Sequence, residues 1–184
     1  LLAAAMTIGA LPVTGVTAKA ADNDPYVVSQ GRMIYASSTR SNSDSNLAAD
    51  GDESTRWESG WSNDEEWLYV DLGKVTEITS VRLMWEGAYA TSYQLQFSDD
   101  EENWETKYRT SDCKGVTEEL KISGNARFVR IWMDKKALPA YGYSLYEFQV
   151  LGRNGLTERP VDYGENLAKG KPATASSLRD VWWM

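Results

Sequence analysis

Short runs of apolar residues alternating with polar ones recur along most of the chain, bounded by clusters of Gly, Asp, Asn and Ser. Tyr93-Gln94-Leu95-Gln96-Phe97 puts an apolar side chain at every second position, and Val129-Arg130-Ile131-Trp132-Met133 carries one wholly apolar face. A period of two marks a half-buried strand, because successive side chains of an extended chain point to opposite sides. Eight segments read this way: 33–37, 67–72, 78–85, 92–98, 106–109, 117–122, 127–133 and 145–151. No long stretch has the helical period. The pattern therefore predicts an all-β, two-sheet sandwich of about eight antiparallel strands, contained in residues 27–153.

The two ends read differently. Leu1-Leu2-Ala3-Ala4-Ala5-Met6 opens an apolar run that meets Pro12, too short to cross ~30 Å of hydrocarbon. With the small-x-small sequence Ala18-Lys19-Ala20, residues 1–20 read as the remains of a secretory signal, followed by a polar tail over 21–26. Secretion is the expectation. Near the other end, Gly170-Lys171-Pro172-Ala173-Thr174-Ala175-Ser176-Ser177 lines up with Gly31-Arg32-Met33-Ile34-Tyr35-Ala36-Ser37-Ser38 at a constant offset of 139 residues, and Arg179 repeats Arg40. This predicts a linker over 154–165 and the start of a second domain over 166–184, as in a tandem array of monomeric modules. So short a piece cannot bury a core, so it is expected to be disordered, with Trp182 and Trp183 exposed.

Composition narrows the function classes. A formal charge of −8 without any His withholds the cationic surface that nucleic acid or an anionic membrane needs, and the usual proton shuttle at neutral pH. The single Cys113 cannot form an internal disulfide. Trp and Tyr, 8 and 10 against 3 Phe, suit a surface where rings with polar edges meet a ligand. Trp57, Trp67, Trp85 and Trp132 lie in or beside predicted strands and are assigned to core packing, while Trp104 follows an acidic turn and is expected to cap the sandwich. Trp61, in a Gly-Ser-Asn-rich loop, suits either a ligand platform or plain exposure. A glycosidase needs two carboxylates ~5–10 Å apart in a cleft. The pairs Glu65-Glu66 and Glu101-Glu102 sit in polar, turn-like stretches expected to face solvent, so catalysis is not expected.

One loop carries ion chemistry. Asp50 and Asp52 flank Gly51, and Thr55 adds a hydroxyl and a carbonyl. A hard cation takes six to eight oxygens at ~2.3–2.6 Å, most of which a compact acidic loop can supply. An acidic turn with no ion is the alternative. Glu147, among Tyr146, Phe148 and Val150, would be costly to bury without a countercharge and is the candidate for completing the set.

That loop, with Glu66-Trp67-Leu68-Tyr69-Val70-Asp71-Leu72-Gly73, Val81-Arg82-Leu83-Met84-Trp85, Arg127-Phe128-Val129-Arg130 and Tyr146-Glu147-Phe148-Gln149-Val150, resembles the discoidin, or coagulation factor V/VIII type C, family. Within it, Trp85-Glu86-Gly87-Ala88-Tyr89 and Tyr141-Gly142-Tyr143-Ser144 are similar to segments of bacterial family 32 carbohydrate-binding modules. The resemblance implies a jelly-roll sandwich with a structural Ca2+ held by the carbonyl of Leu47, Asp50, Asp52, Thr55, the carbonyl of Tyr146 and the carboxylate of Glu147. It also implies that oligo- or polysaccharide binds at loops on one end. There, rings would cover the C–H face of a pyranose while acids, amides or Arg take its hydroxyls. By loop position the candidates are Arg56, Glu58, Trp61, Glu86, Tyr89 and Tyr141. An acid excess among them would favour a cationic, glucosamine-type sugar over neutral glucan. The resemblance further implies a non-catalytic accessory module of a glycoside hydrolase; the alternative is an adhesion domain for a protein, cell-surface glycoconjugate or lipid.

Overall fold

The computed structural model describes residues 24–156. The expected signal segment, most of the linker and the start of the second copy, with Trp182 and Trp183, lie outside the described residues. In chain order the strands are β1 Tyr26–Val27, β2 Ile34–Ala36, β3 Trp57–Glu58, β4 Glu66–Trp85, β5 Ala90–Ser98, β6 Glu105–Thr110, β7 Glu118–Leu120, β8 Gly124–Lys136 and β9 Ser144–Arg153. Every pairing among them is antiparallel. A 3-10 turn over Ser45–Ala48 precedes the acidic loop.

The long β4 belongs to both layers of a jelly-roll sandwich. Its first part pairs with β2 and β8, with Val70 opposite Ile34 and Val129; its second part pairs with β9 and β7, with Val81 opposite Val150 and Leu120. One layer thus runs β2-β4-β8-β5-β6, and the other is built from β7, β4 and β9, with β1 and β3 pairing to β9. Leu68, Val70, Leu83, Leu95, Val129, Ile131, Phe148 and Val150 are fully buried in a single core, as the alternation requires.

The observed strands differ from the expected ones in two ways. Segments 67–72 and 78–85 are one strand, because the register shifts between Asp71 and Thr76 and Gly73, at φ 80°, turns the chain without leaving the sheet. β1 and β3, at 2 residues each, are too short to show a period. Trp57 and Trp85 are buried as expected, but Trp67 and Trp132 are not in the core. They alternate with buried Leu68 and Ile131 and so stand half-buried on the outer face of the larger sheet, Trp67 stacked on Tyr69 at 5.4 Å and Trp132 facing the Arg130 guanidinium at 5.1 Å. Trp104 joins them, tilted against Tyr69, with its Nε1 donating to the Glu101 carbonyl at 2.7 Å.

Candidate functional site

At one end of the sandwich, the β2–β3 connection with β3, the β4–β5 turn and the β8–β9 loop enclose a cleft of about 280 Å³ whose walls include Arg40, Arg56, Glu58, Glu86, Leu138 and Tyr141, with the β3–β4 connection beside it. Local chemistry sews these loops together. Ser59 N–H donates to the Tyr143 carbonyl at 2.9 Å, and Tyr143 N–H donates to Ser59 Oγ at 2.8 Å. Gly142 lets them approach: a Cβ there would lie 2.4 Å from the Ser59 carbonyl oxygen. From below, Lys136 Nζ donates to the Trp61 carbonyl at 3.0 Å, and Gly60 N–H donates to Ser38 Oγ at 2.9 Å. Ser38 in turn donates to Glu66 Oε1 at 2.6 Å, and Glu66 also accepts from Ser37 and Asn63. Glu66 is therefore fully buried and not facing solvent as expected; its donors lie some thirty residues upstream and just ahead of it in the loop. Its neighbour Glu65 is exposed, as are Glu101 and Glu102.

Five of the six predicted contact residues meet at this end. The rings of Trp61 and Tyr141, 43% and 48% exposed, stand edge to face at 5.3 Å. Trp61 Nε1 donates to Glu58 Oε1 at 2.8 Å, and Arg56 Nη2 lies 3.9 Å from Glu58 Oε2. Glu86 accepts the Ala88 N–H at 2.9 Å. Tyr89 stands apart: its ring sits on Gly115, where a Cβ would come within 2.2 Å of it, and packs against the core. The residue that sequence reasoning missed is Arg40. Its Nη1 reaches both Glu58 oxygens, at 3.0 and 3.1 Å, and its guanidinium lies 4.3 Å from the Trp61 ring centre. Two arginines now balance two glutamates in the cleft walls, so the expected acid excess is absent. Ser144, in the lining, is buried and its Oγ has no hydrogen-bond partner.

The acidic loop folds against β9. Thr55 Oγ1 lies 2.8 Å from Asp50 Oδ2 and 3.0 Å from the Asp52 carbonyl, while Gly51 N–H donates to Glu147 Oε1 at 3.0 Å. Glu147 is 1% exposed; burial above all, with the Asp50 charge adding to it, pushes its carboxyl up to about 7. Asp52 turns its carboxylate to Ser54, whose hydroxyl and N–H hold it below the usual range. Tyr146 falls where the β4–β9 register slips between Met84–Glu147 and Trp85–Leu145, a bulge that frees its backbone from the ladder. The 3-10 turn bearing Leu47 packs on β9. Among the described residues no group of three or more His, Cys, Asp or Glu side chains converges as a metal centre would. The donor set is instead two facing acids, Asp50 and Glu147, without a Lys or Arg ion pair among the described residues, plus hydroxyl and carbonyl oxygens; that chemistry fits a hard cation.

Comparison with known proteins agrees with this architecture. Chitosan-binding module 1 from the chitosanase/glucanase of Paenibacillus sp. IK-5 superposes with a TM-score of 0.66 at 36% identity, over 69% of this chain and 99% of that one. Module 2 of the same enzyme, solved with chitotriose, gives 0.64 at 36% identity, over 67% of this chain and 98% of that one. CpGH89CBM32-5 from Clostridium perfringens, solved with GalNAc-β-1,3-galactose, shares the fold with a TM-score of 0.61 at 22% identity, over 68% and 99% of the two chains. The polysaccharide lyase 8 family protein HylA of Enterococcus faecalis is 34% identical over 129 residues, which is 65% of this chain and 9% of HylA. The chain thus spans a small part of that curated relative. These structural neighbours are binding modules, and the described domain is non-catalytic. The F5/8 type C domain model matches residues 33–148, and the chain belongs to that family.

Proposed function

We propose that the domain is a calcium-stabilised module of a secreted, multimodular protein that binds polysaccharide, β-glucan or chitosan-like, in the cleft at the Trp61 end. The observation that carries this reading is the convergence of Tyr141, Arg56, Glu58 and Glu86 from separate segments on one open cleft, with the exposed Trp61 ring standing against Tyr141 at its edge. Exposed rings offer apolar faces to a pyranose, and the charged groups around them take its hydroxyls. The likeness to the Paenibacillus chitosan-binding modules supports the ligand class. By holding an attached glycoside hydrolase beside its polymer, such a module raises effective concentration without taking part in bond cleavage.

The calcium reading rests on the carbonyls of Leu47 and Tyr146 with Asp50, Asp52, Thr55 and Glu147 as ligands. The ion would neutralise the two facing acids and staple the acidic loop to β9. Because β9 begins at Ser144 in the cleft lining, the staple and the cleft share one strand. Calorimetry with chitosan and laminarin oligosaccharides tests the binding reading: Trp61→Ala and Glu86→Gln are each expected to weaken binding by about tenfold. Unchanged affinity in both variants would remove the cleft from consideration.

A further inference from the structure

We infer that Arg40 sets the charge selectivity of the cleft: its guanidinium fills the position that a sugar ammonium would take between Glu58 and Trp61. The inference rests on the cleft being the saccharide site. Arg40 is placed by its backbone, since its N–H donates to the Glu58 carbonyl at 2.9 Å and its own carbonyl accepts from Ser43 N–H at 2.9 Å. Its side chain, 48% exposed, then makes two contacts at once, Nη1 shared between both Glu58 oxygens and a cation over the indole at 4.3 Å. Those are the two attractions that a protonated amino sugar would seek here, charge pairing with a carboxylate and a cation above a π-face.

With Arg40 in that position, Glu58 already accepts from Arg40 and from Trp61 Nε1, has Arg56 alongside, and keeps only 13% of its side chain exposed. Glu86 is left as the cleft carboxylate without an ion pair among the described residues. An ammonium directed to Glu58 and the indole must displace the guanidinium or bind against its repulsion, whereas a neutral glucose unit meets neither obstacle. Arg40 thereby shifts the cleft away from polycationic sugar toward neutral or N-acetylated units.

The test measures affinities of glucosamine and glucose oligomers of equal length by calorimetry, for the intact chain and for Arg40→Gln and Arg40→Lys. Arg40→Gln is expected to raise the glucosamine-to-glucose affinity ratio about fivefold, and more at low ionic strength. Arg40→Lys, which keeps the charge, is expected to leave the ratio within about twofold. Since Arg40 is half-exposed, the melting temperature should hold and confirm that the variants fold. An unchanged or lowered ratio in Arg40→Gln, while Trp61→Ala still weakens binding, overturns the role of Arg40 alone. Full binding of both sugars by Trp61→Ala and by Glu86→Gln overturns the cleft reading and this inference together.

Discussion

Gly142→Ala probes the seam between the two loops that carry Trp61 and Tyr141. The added methyl would lie 2.4 Å from the Ser59 carbonyl oxygen, 2.7 Å from Ser59 Oγ and 3.0 Å from the Gly60 carbonyl oxygen. Two of these are backbone atoms that cannot rotate away, so the segments must part by about 1 Å to restore ordinary contact. Overpacking of this kind costs about 1–3 kcal/mol. Parting also stretches the reciprocal Ser59–Tyr143 bonds of 2.9 and 2.8 Å, each worth ~0.5–1.5 kcal/mol. The sum, about 2–6 kcal/mol, corresponds to a fall in melting temperature on the order of 10–20 °C for a domain of this size. Because the Trp61–Tyr141 contact at 5.3 Å spans the same seam, oligosaccharide affinity should fall about tenfold as well. Thermal melts and calorimetry on the purified variant read both effects. A melt within about 2 °C of the parent with unaltered affinity would mean that the loops are not held by this close approach.

Two other expectations follow from burial. In chelator, Glu147 favours its neutral form in the folded state, so the stability it contributes is complete below its ordinary value of 4.5 and is lost as pH rises through about 7. Melting curves in chelator should therefore fall between those pH values, and calcium at a hundredfold excess over its Kd should restore ~2.7 kcal/mol at neutral pH; Glu147→Gln should abolish both responses. Trp57→Ala empties a fully buried site and frees the Ser38 carbonyl that accepts its Nε1 at 3.2 Å, so urea titration should show a loss of about 3–5 kcal/mol. A loss below ~1 kcal/mol would mean that Trp57 does not support the core.

How far the sequence reaches is clear from particular residues. The strand period was sufficient for β5, β8 and β9, since half-buried faces leave a two-residue signal. It could not find β3, whose 2 residues hold Glu58 against Ser144, or show that β4 runs unbroken past Gly73. The nearness of Glu147 to the acidic loop was legible because a carboxylate among apolar neighbours needs a reason to be buried. Arg40 was not, because nothing local marks which of several exposed arginines will fold over an indole 21 positions away. The burial of Glu66 is hidden for the same reason: its local sequence is that of a polar turn, and Ser37 and Ser38, which make its burial tolerable, come from another strand edge. Adjacency to Glu86 suggests the cleft for Tyr89, whereas the room left by Gly115 draws its ring the other way.

Whether saccharide binds between Trp61, Tyr141 and Glu86 is decided by following backbone and indole N–H resonances while glucosamine and laminarin trisaccharides are added. Saturable shifts confined to Trp61 Nε1–H and the amides of residues 86–88 and 141–144, with the outer-face indoles of Trp104 and Trp132 unmoved, are the predicted result. Shifts that track Trp104 and Trp132 and leave Trp61 still would contradict it, and would move the binding surface to the outer face of the larger sheet.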